Sequence, residues 1–301
     1  MSGIEKQLVS TIFVLCVAIS SGWVTAQEVL PYDLENPSAV YEMPPVLEEI
    51  SGIHLLSDGL FACIQDEQGI IFLYDTTERK VVQEIPFDKD KDYEDIEVVG
   101  EDAYVLESDG DIRRVKNFRG EQPETMRYDT ELSPGNDAEG LTYHQPSHSL
   151  LIACKGKASV SDDIDLKGYR AVYRFDLRTK ALFASPMMLI KLDDLTDYSS
   201  LNALAELSYR LAGLLDVNGD IRFQPSAIAI HPESKNVYIL SFTSSVLAVY
   251  TSYGELVTAS NLNKRIFMQP EGICFDDENS LYISNEGNGG TANILKFYSK
   301  P

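Results

Sequence analysis

Three glutamates, Glu94, Glu139 and Glu271, recur in one local setting: each follows a polar pair and precedes a short aliphatic strand. Their segments read KDYEDIEVVG, NDAEGLTYHQ and MQPEGICFDD. Two further segments, LEEISGIHLL and FQPSAIAIHP, place Ser51 and Ser226 at the aligned position. Two residues earlier stand Glu49, Asp92, Asp137, Gln224 and Gln269. On an extended chain, residues two apart point the same way, so each segment offers two oxygen donors to one side. Carboxylates gathered from separate segments either take up protons, with raised pKa values, or hold a cation. A donor set of oxygens without His or Cys selects a hard ion, and flexible ligands with room for water suit Ca²⁺ over Mg²⁺. The plainer alternative is that the acids are solvated, or cap backbone N–H groups.

The elements that must position these residues follow from their spacing. The aligned positions lie 43, 45, 87 and 45 residues apart. A period in the low forties filled with short strands is that of a propeller blade of four antiparallel strands. The first repeat reads SGIHLL, LFACIQD, IIFLYDT and VVQEIP, joined by turns rich in Gly, Ser, Asp and charged residues. The third repeat ends in ALFASPMML as its fourth strand. The fifth stops after three strands, at NILKFY. Its missing strand is expected from the other end of the chain, where VYEMP (41–44 with Val40) resembles the fourth strand VVQEIP. Pairing it into the last blade would close the ring. The double interval contains a segment rich in Leu and Ala, 193–222, which reads as a helical insertion between blades three and four. The expected fold is therefore an all-β, five-bladed propeller; six blades is the alternative.

In such a ring the first strand of every blade lines the central channel. Ser51, Glu94, Glu139, Ser226 and Glu271 then share one level. Glu49, Asp92 and Asp137 form a rim above it, and the turns between second and third strands add Asp66, Glu67, Glu107, Asp109, Asp111 and Glu286, with Lys155 as a lone positive charge. Carboxylates about 7 Å apart repel by about 2 kcal/mol at an effective dielectric near 20. Glu94, Glu139 and Glu271 are the expected metal ligands; Ser51, Ser226, Glu49, Asp92, Asp137, Lys155 and Glu286 the expected ligand rim. DVNGDIRF (216–223) begins like a calcium loop but lacks the glycine and the bidentate glutamate such a loop needs. DKDKDYED (88–95) reads as a solvated connection.

With these motifs in hand, the chain resembles the SdiA-regulated family of exported bacterial proteins, distant relatives of NHL-repeat propellers. The matching pieces are Ser51-Gly52, YEDIEVVGEDAYVLES, AEGLTYH, SAIAIHPESKNVYILS and PEGICFDDENSLYISNE. The resemblance runs from about residue 45 to about residue 299 and implies a five-bladed propeller with a bound calcium ion. It supplies no biochemical activity, and the 193–222 segment departs from the family's minimal pattern.

The bulk properties narrow the function. Residues 1–26 read as a signal peptide: Lys6, an apolar run, then Val24-Thr25-Ala26 as a small-x-small cleavage site. A retained anchor is the alternative; lipidation of Cys16 is disfavoured by Leu15 before it. The expected location is the periplasm, the cell envelope or outside the cell. The formal charge of −22 argues against nucleic acid and against an anionic membrane surface. Cys63, Cys154 and Cys274 lie in apolar strands and read as buried thiols. A monomer is expected, its partner a small molecule or an envelope protein. The first functional expectation is a calcium-stabilised binding module with its site at the acidic mouth. The alternative is a calcium-dependent hydrolase of lactonase, phytase or esterase type, in which the ion polarises a carbonyl or phosphoryl oxygen. His144, His148 and His231 lie in turns away from the acidic ring, His54 follows the first motif without a partner His, no Gly-x-Ser-x-Gly is present, and binding is favoured over catalysis.

Overall fold

Runs of β-branched and aromatic residues between Gly, Asp and Ser turns build short strands and, among the described residues, almost no helix. The computed structural model describes residues 30–161, 163–195 and 223–300. The first strand, β1 (Ala39–Glu42), precedes the first complete blade. Blade 1 is β2 (Ile50–Leu55), β3 (Leu60–Gln65), β4 (Ile70–Asp75) and β5 (Lys80–Pro86). Blade 2 is β6 (Tyr93–Val99), β7 (Asp102–Glu107), β8 (Ile112–Lys116) and β9 (Glu124–Tyr128). Blade 3 holds β10 (Ala138–His144), β11 (Ser149–Cys154) and β12 (Tyr169–Asp176). Its fourth strand is split into β13 (Ala181–Leu182) and β14 (Met188–Lys191), both paired with β12. The sequence suggested one strand there; Pro186 between the halves has no N–H to give a ladder. Blade 4 is β15 (Ala227–Ile230), β16 (Val237–Ser241), β17 (Val246–Tyr250) and β18 (Leu256–Asn261).

Blade 5 contains β19 (Pro270–Phe275), β20 (Leu281–Asn285) and β21 (Asn293–Phe297), and β1 completes it as the outermost strand. Val40 pairs with Leu295 and Tyr41 with Ile294, so the chain ends are stitched into one sheet, as the repeat pattern led us to expect. The inner strands touch in ring order, β2 to β6, β6 to β10, β10 to β15, β15 to β19, and β19 back to β2. The ring is closed with five blades, not six. The insertion expected at 193–222 falls outside the described residues beyond 195; 192–195 form a helical turn. The signal segment 1–26 is likewise outside them. Among the described residues no helix is long and apolar enough to cross a membrane.

The strand sequences match their places. Middle strands are covered by neighbouring blades on both faces, so β11 (SLLIAC), β16 (VYILS) and β17 (VLAVY) are buried throughout. Outer strands alternate or are mostly exposed, and β5 carries Lys80 and Glu84 on its free edge. Cys63, Cys154 and Cys274 are free and buried. Replacing residues 39–42 with glycine and serine keeps the backbone ladder groups but removes the Val40 and Tyr41 side chains and adds chain entropy, and should cost about 2–4 kcal/mol in urea denaturation followed by circular dichroism. An unchanged midpoint would mean that the closing strand contributes nothing.

Inner strands run unusually close. A Cβ on Gly52 would stand 2.6 Å from the Asp95 Cα and the Ile96 nitrogen, and one on Gly272 2.6 Å from the Ser51 carbonyl oxygen. The small residue after the Ser/Glu position is therefore a contact requirement between blades. Asp95 occupies that place in blade 2. Its carboxyl turns sideways and accepts the Leu141 N–H at 2.6 Å, while Glu97 accepts the Tyr143 N–H at 2.9 Å. Both acids thus satisfy β10 groups that no fifth strand can reach.

Candidate metal and ligand site at the channel mouth

The aligned Ser/Glu residues owe their direction to a break in the ladder. In blade 3 Ala138 pairs with Cys154 and Gly140 with Ala153, leaving Glu139 as an extra residue. The same shift leaves out Glu94 between Tyr93 and Asp95, and Glu271 between Pro270 and Gly272. In blade 1 it spans Ser51 and Gly52. A β-bulge of this kind re-aims a side chain and bends its strand. Four blades use it at the same level, and the three glutamates are turned into the channel.

There they meet. Ser51, Glu94, Glu139, Ser226 and Glu271 line one cavity of about 180 Å³ together with Asp66, Asp92, Lys155, Gln269 and Glu286. Six carboxylates face a single lysine. Glu49 and Asp137 are not wall residues; Glu49 is exposed, and Asp137 Oδ2 stands 4.0 Å from Lys155 Nζ. Gln224 lines an adjoining cavity, and its N–H donates to Ser241 Oγ at 3.0 Å. Ser226 Oγ donates to the Pro270 carbonyl at 2.9 Å, joining blade 4 to blade 5, so this hydroxyl works as a strut.

The electrostatics are those of an under-compensated anion site. Lys155 Nζ donates to Glu139 Oε1 at 2.6 Å. Burial would lower the Lys155 pKa, but Glu139, Asp137 and Glu271 together raise it. Glu94 has no donor on its carboxylate among the described residues. Burial, then Glu139, Asp92 and Glu271 push its pKa up to about 10, with Lys155 opposing. Burial and then Glu139 and Glu286 raise Glu271 well above its usual range. Glu139 is raised by burial, with Lys155 opposing. Glu286 is pushed to about 7 by burial and by Asp66, and Asp66 to about 6 by burial and by Glu49. Asp66 Oδ1 is buried with no hydrogen-bond partner. Oxygen as the available ligand atom, a surplus of carboxylates over the one lysine and an orphaned buried oxygen fit a hard divalent cation.

A tighter acidic cluster lies in blade 2, where ligand oxygens of Glu107, Asp109 and Asp111 come within 4.8 Å of one another. Two of its three charges are already answered. Glu107 is paired with Lys91 and Arg113, Asp111 with Arg127. The stretch DKDKDYED is accordingly more than a solvated connection, since Asp88 also pairs with Arg113 at 2.9 Å.

The histidines stand at the other end of the channel or in the turns around it. His54 Nδ1 pairs with Glu97 at 2.8 Å, and His144 Nδ1 bonds Ser147 Oγ at 2.7 Å. His231 is a packing residue: its Nδ1 accepts the Ser234 N–H at 3.1 Å and its ring stacks on Tyr238. Among the described residues the acidic cavity has neither His nor Cys in its wall.

Fold and site together define a five-bladed β-propeller with an oxygen-lined, acidic channel mouth. The family model SdiA-regulated matches residues 176–289, from the end of β12 to just past β20, and bears out the family likeness read from the motifs. No curated protein matches by sequence. Among solved structures, Myxococcus xanthus glutaminyl cyclase is 12% identical, with a TM-score of 0.55 over 87% of this chain and 94% of that one. A luciferin-regenerating enzyme is 10% identical, with a TM-score of 0.49 over 87% and 95%. A gluconolactonase from Xanthomonas campestris is 11% identical, with a TM-score of 0.47 over 82% and 72%. At these identities the likeness is one of fold alone.

Proposed function

We propose that this protein is an exported propeller that binds Ca²⁺ in the acidic channel mouth and presents the filled mouth to a ligand as a binding module. The carrying observation is the charge imbalance of the cavity, six carboxylates against Lys155, with Asp66 Oδ1 buried and unbonded. Glu94, Glu139 and Glu271 would hold the ion, with Asp66 and Ser51 within the same wall. A bound cation would neutralise the ring and leave an electrophilic centre facing solvent. Glu139 is shared with Lys155, so that lysine would turn toward Asp137 or the solvent on loading. A calcium-dependent hydrolase is the second reading. It needs a titratable group beside the ion that is not itself a ligand, and Lys155 is the one cation of the wall. Binding therefore accounts for more of the wall than hydrolysis does.

Calorimetric titration of the EDTA-treated mature protein with Ca²⁺ tests this. The expected result is a single saturable site, weakened about tenfold or more in both Glu139→Gln and Glu94→Gln. Absence of binding heat in the parent protein would overturn the calcium reading. Calcium-dependent turnover of simple esters or lactones, lost in Lys155→Met with calcium binding intact, would favour the hydrolase.

A further inference from the structure

The inner strands carry a second ring at their other end. Three residues after each aligned Ser/Glu position stand His54, Glu97, Thr142, Ala229 and Cys274, one from each blade. The acids of the mouth lie at the N-terminal ends of these strands, and this ring lies toward their C-terminal ends, on the opposite face. All five residues line a cavity of about 800 Å³ there. Ile53, Ile96, Leu141 and Ile273, each one position nearer the mouth, share its wall, and Pro146, Met187, Tyr253 and Phe275 add to it from strand ends and turns. A mostly apolar cavity of this size with a few placed polar groups has the form of a small-molecule site.

Two polar side chains of this ring have hydrogen-bonding capacity left over. Glu97 fixes His54: its Oε1 accepts from His54 Nδ1 at 2.8 Å and from the Val98 N–H at 3.1 Å, while its Oε2 accepts the Tyr143 N–H at 2.9 Å. With the proton on Nδ1, the open nitrogen is Nε2. It has no partner among the described residues, and the His54 side chain is 25% exposed. The Thr142 hydroxyl likewise has no partner among the described residues and is not sealed from the surface. The charges of the wall are, by contrast, answered or solvated. Glu97 is held as above, Asp276 accepts from the Tyr282 hydroxyl at 3.0 Å and pairs with Lys296 at 3.4 Å, and Lys235 and Asp277 are exposed. Cys274 serves as wall rather than as nucleophile, since burial raises its thiol well above its usual range.

We infer that this cavity binds a small, neutral, mostly apolar molecule through one hydroxyl, with His54 and Thr142 as the groups that hold it. The apolar wall stabilises the body of the ligand by removing it from water. A hydroxyl donates to Nε2 of a neutral imidazole and accepts from an imidazolium, so it fits His54 in either state, and Thr142 takes the complementary role. The ligand is neutral because the wall leaves no buried charge without a partner for an ion to meet. A wholly apolar ligand would strip water from Nε2 and from the Thr142 hydroxyl and leave both unpaired. The site stands at the far end of the channel from the acidic mouth and needs no calcium.

The test is equilibrium dialysis of the EDTA-treated mature protein against 2-naphthol and, separately, naphthalene, which share an apolar body and differ by one hydroxyl. The expected result is saturable binding of 2-naphthol at one site, about three- to tenfold tighter than naphthalene, the worth of one hydrogen bond. His54→Leu and Thr142→Val should each reduce that preference and leave naphthalene binding unchanged. Thr142→Val keeps the shape and charge of the wall, so it reads the site even if His54→Leu unfolds. No saturable binding of 2-naphthol would overturn the proposal, as would equal binding of the two probes by the parent or an undiminished preference in Thr142→Val. Neither probe ligates calcium and EDTA is present, so this outcome and that of the calcium titration are read separately.

Discussion

In metal-free protein, stability is expected to fall as pH rises from about 5 toward about 10, and calcium is expected to remove that fall. The reasoning is one of proton linkage. In the unfolded chain Glu and Asp titrate near 4.3 and 3.9. In the folded ring Asp66 sits at about 6, Glu286 at about 7 and Glu94 at about 10. Between the unfolded and folded values the folded state binds more protons, so the slope of unfolding free energy against pH is negative. This is opposite to the usual behaviour of paired carboxylates. An acid limb exists as well. Arg178 and neighbouring N–H groups hold Asp176 below its usual range, and Asp276 is lowered by the Ser280 N–H and hydroxyl, the Tyr282 hydroxyl and Lys296 despite its burial. Stability contributed by those two is lost as pH falls below the ordinary Asp range. The metal-free optimum therefore belongs at mildly acidic pH.

Calcium should reverse the alkaline limb, because a divalent ion replaces the protons that the ring otherwise keeps. At a hundredfold excess over its Kd it should add about 2.7 kcal/mol of stability, with affinity rising as pH rises. Thermal melts across pH, with EDTA and with Ca²⁺, read both effects. Proton release on binding is read by titrating in buffers of different ionisation enthalpy. A metal-free profile that is flat or rises between neutral and alkaline pH would show that the ring carboxylates are ionised and solvated, and the raised pKa values would then be wrong.

The second large effect is expected from single methyl groups. Gly52→Ala and Gly272→Ala should each cost about 3 kcal/mol or more, and should do so whatever the metal state. At Gly52 the added carbon meets Asp95 Oδ1 at 2.5 Å and backbone atoms of blade 2 at 2.6 Å. At Gly272 it meets Ser284 Oγ at 2.4 Å and the Ser51 carbonyl at 2.6 Å. Ser284 Oγ donates to that carbonyl at 3.1 Å, so the change also breaks a bond from blade 5 to blade 1. Backbone walls on both sides leave little room to relax. Blade 4 provides the control, since Ala227 already occupies the aligned place. Ala227→Gly should cost less, about 1–2 kcal/mol, from the entropic penalty and the loss of one buried methyl. Urea denaturation of the three variants orders them. A Gly52→Ala variant as stable as the parent would show that the blades can part without cost, and that the small residue has another reason.

Much of this architecture was legible because it rests on local pattern. Strand periodicity and turn residues recur every blade, and a missing fourth strand in blade 5 with a spare one before blade 1 leaves one natural pairing. The level of Ser51, Glu94, Glu139, Ser226 and Glu271 also followed, since aligned positions in a closed ring share a height. The roles within that level did not follow, because they depend on which atoms of other blades lie within a few ångströms. Glu94, Glu139 and Glu271 point inward because a bulge leaves each out of the ladder, and no residue type in the motif announces a bulge. Asp95 ends a stretch that reads as a solvated connection and no motif singles out Glu97, yet both accept N–H groups 46 residues away. Ser226 reads as a ligand and is a strut. Sequence by itself determined the blades as repeats and the closing strand, since side-chain periodicity is a property of neighbours along the chain, whereas five blades rather than six was decided by the closed ring of inner-strand contacts. The compensation of each charge was decided by the tertiary structure, because Coulomb and hydrogen-bond energies depend on distances in space between residues that the chain holds far apart.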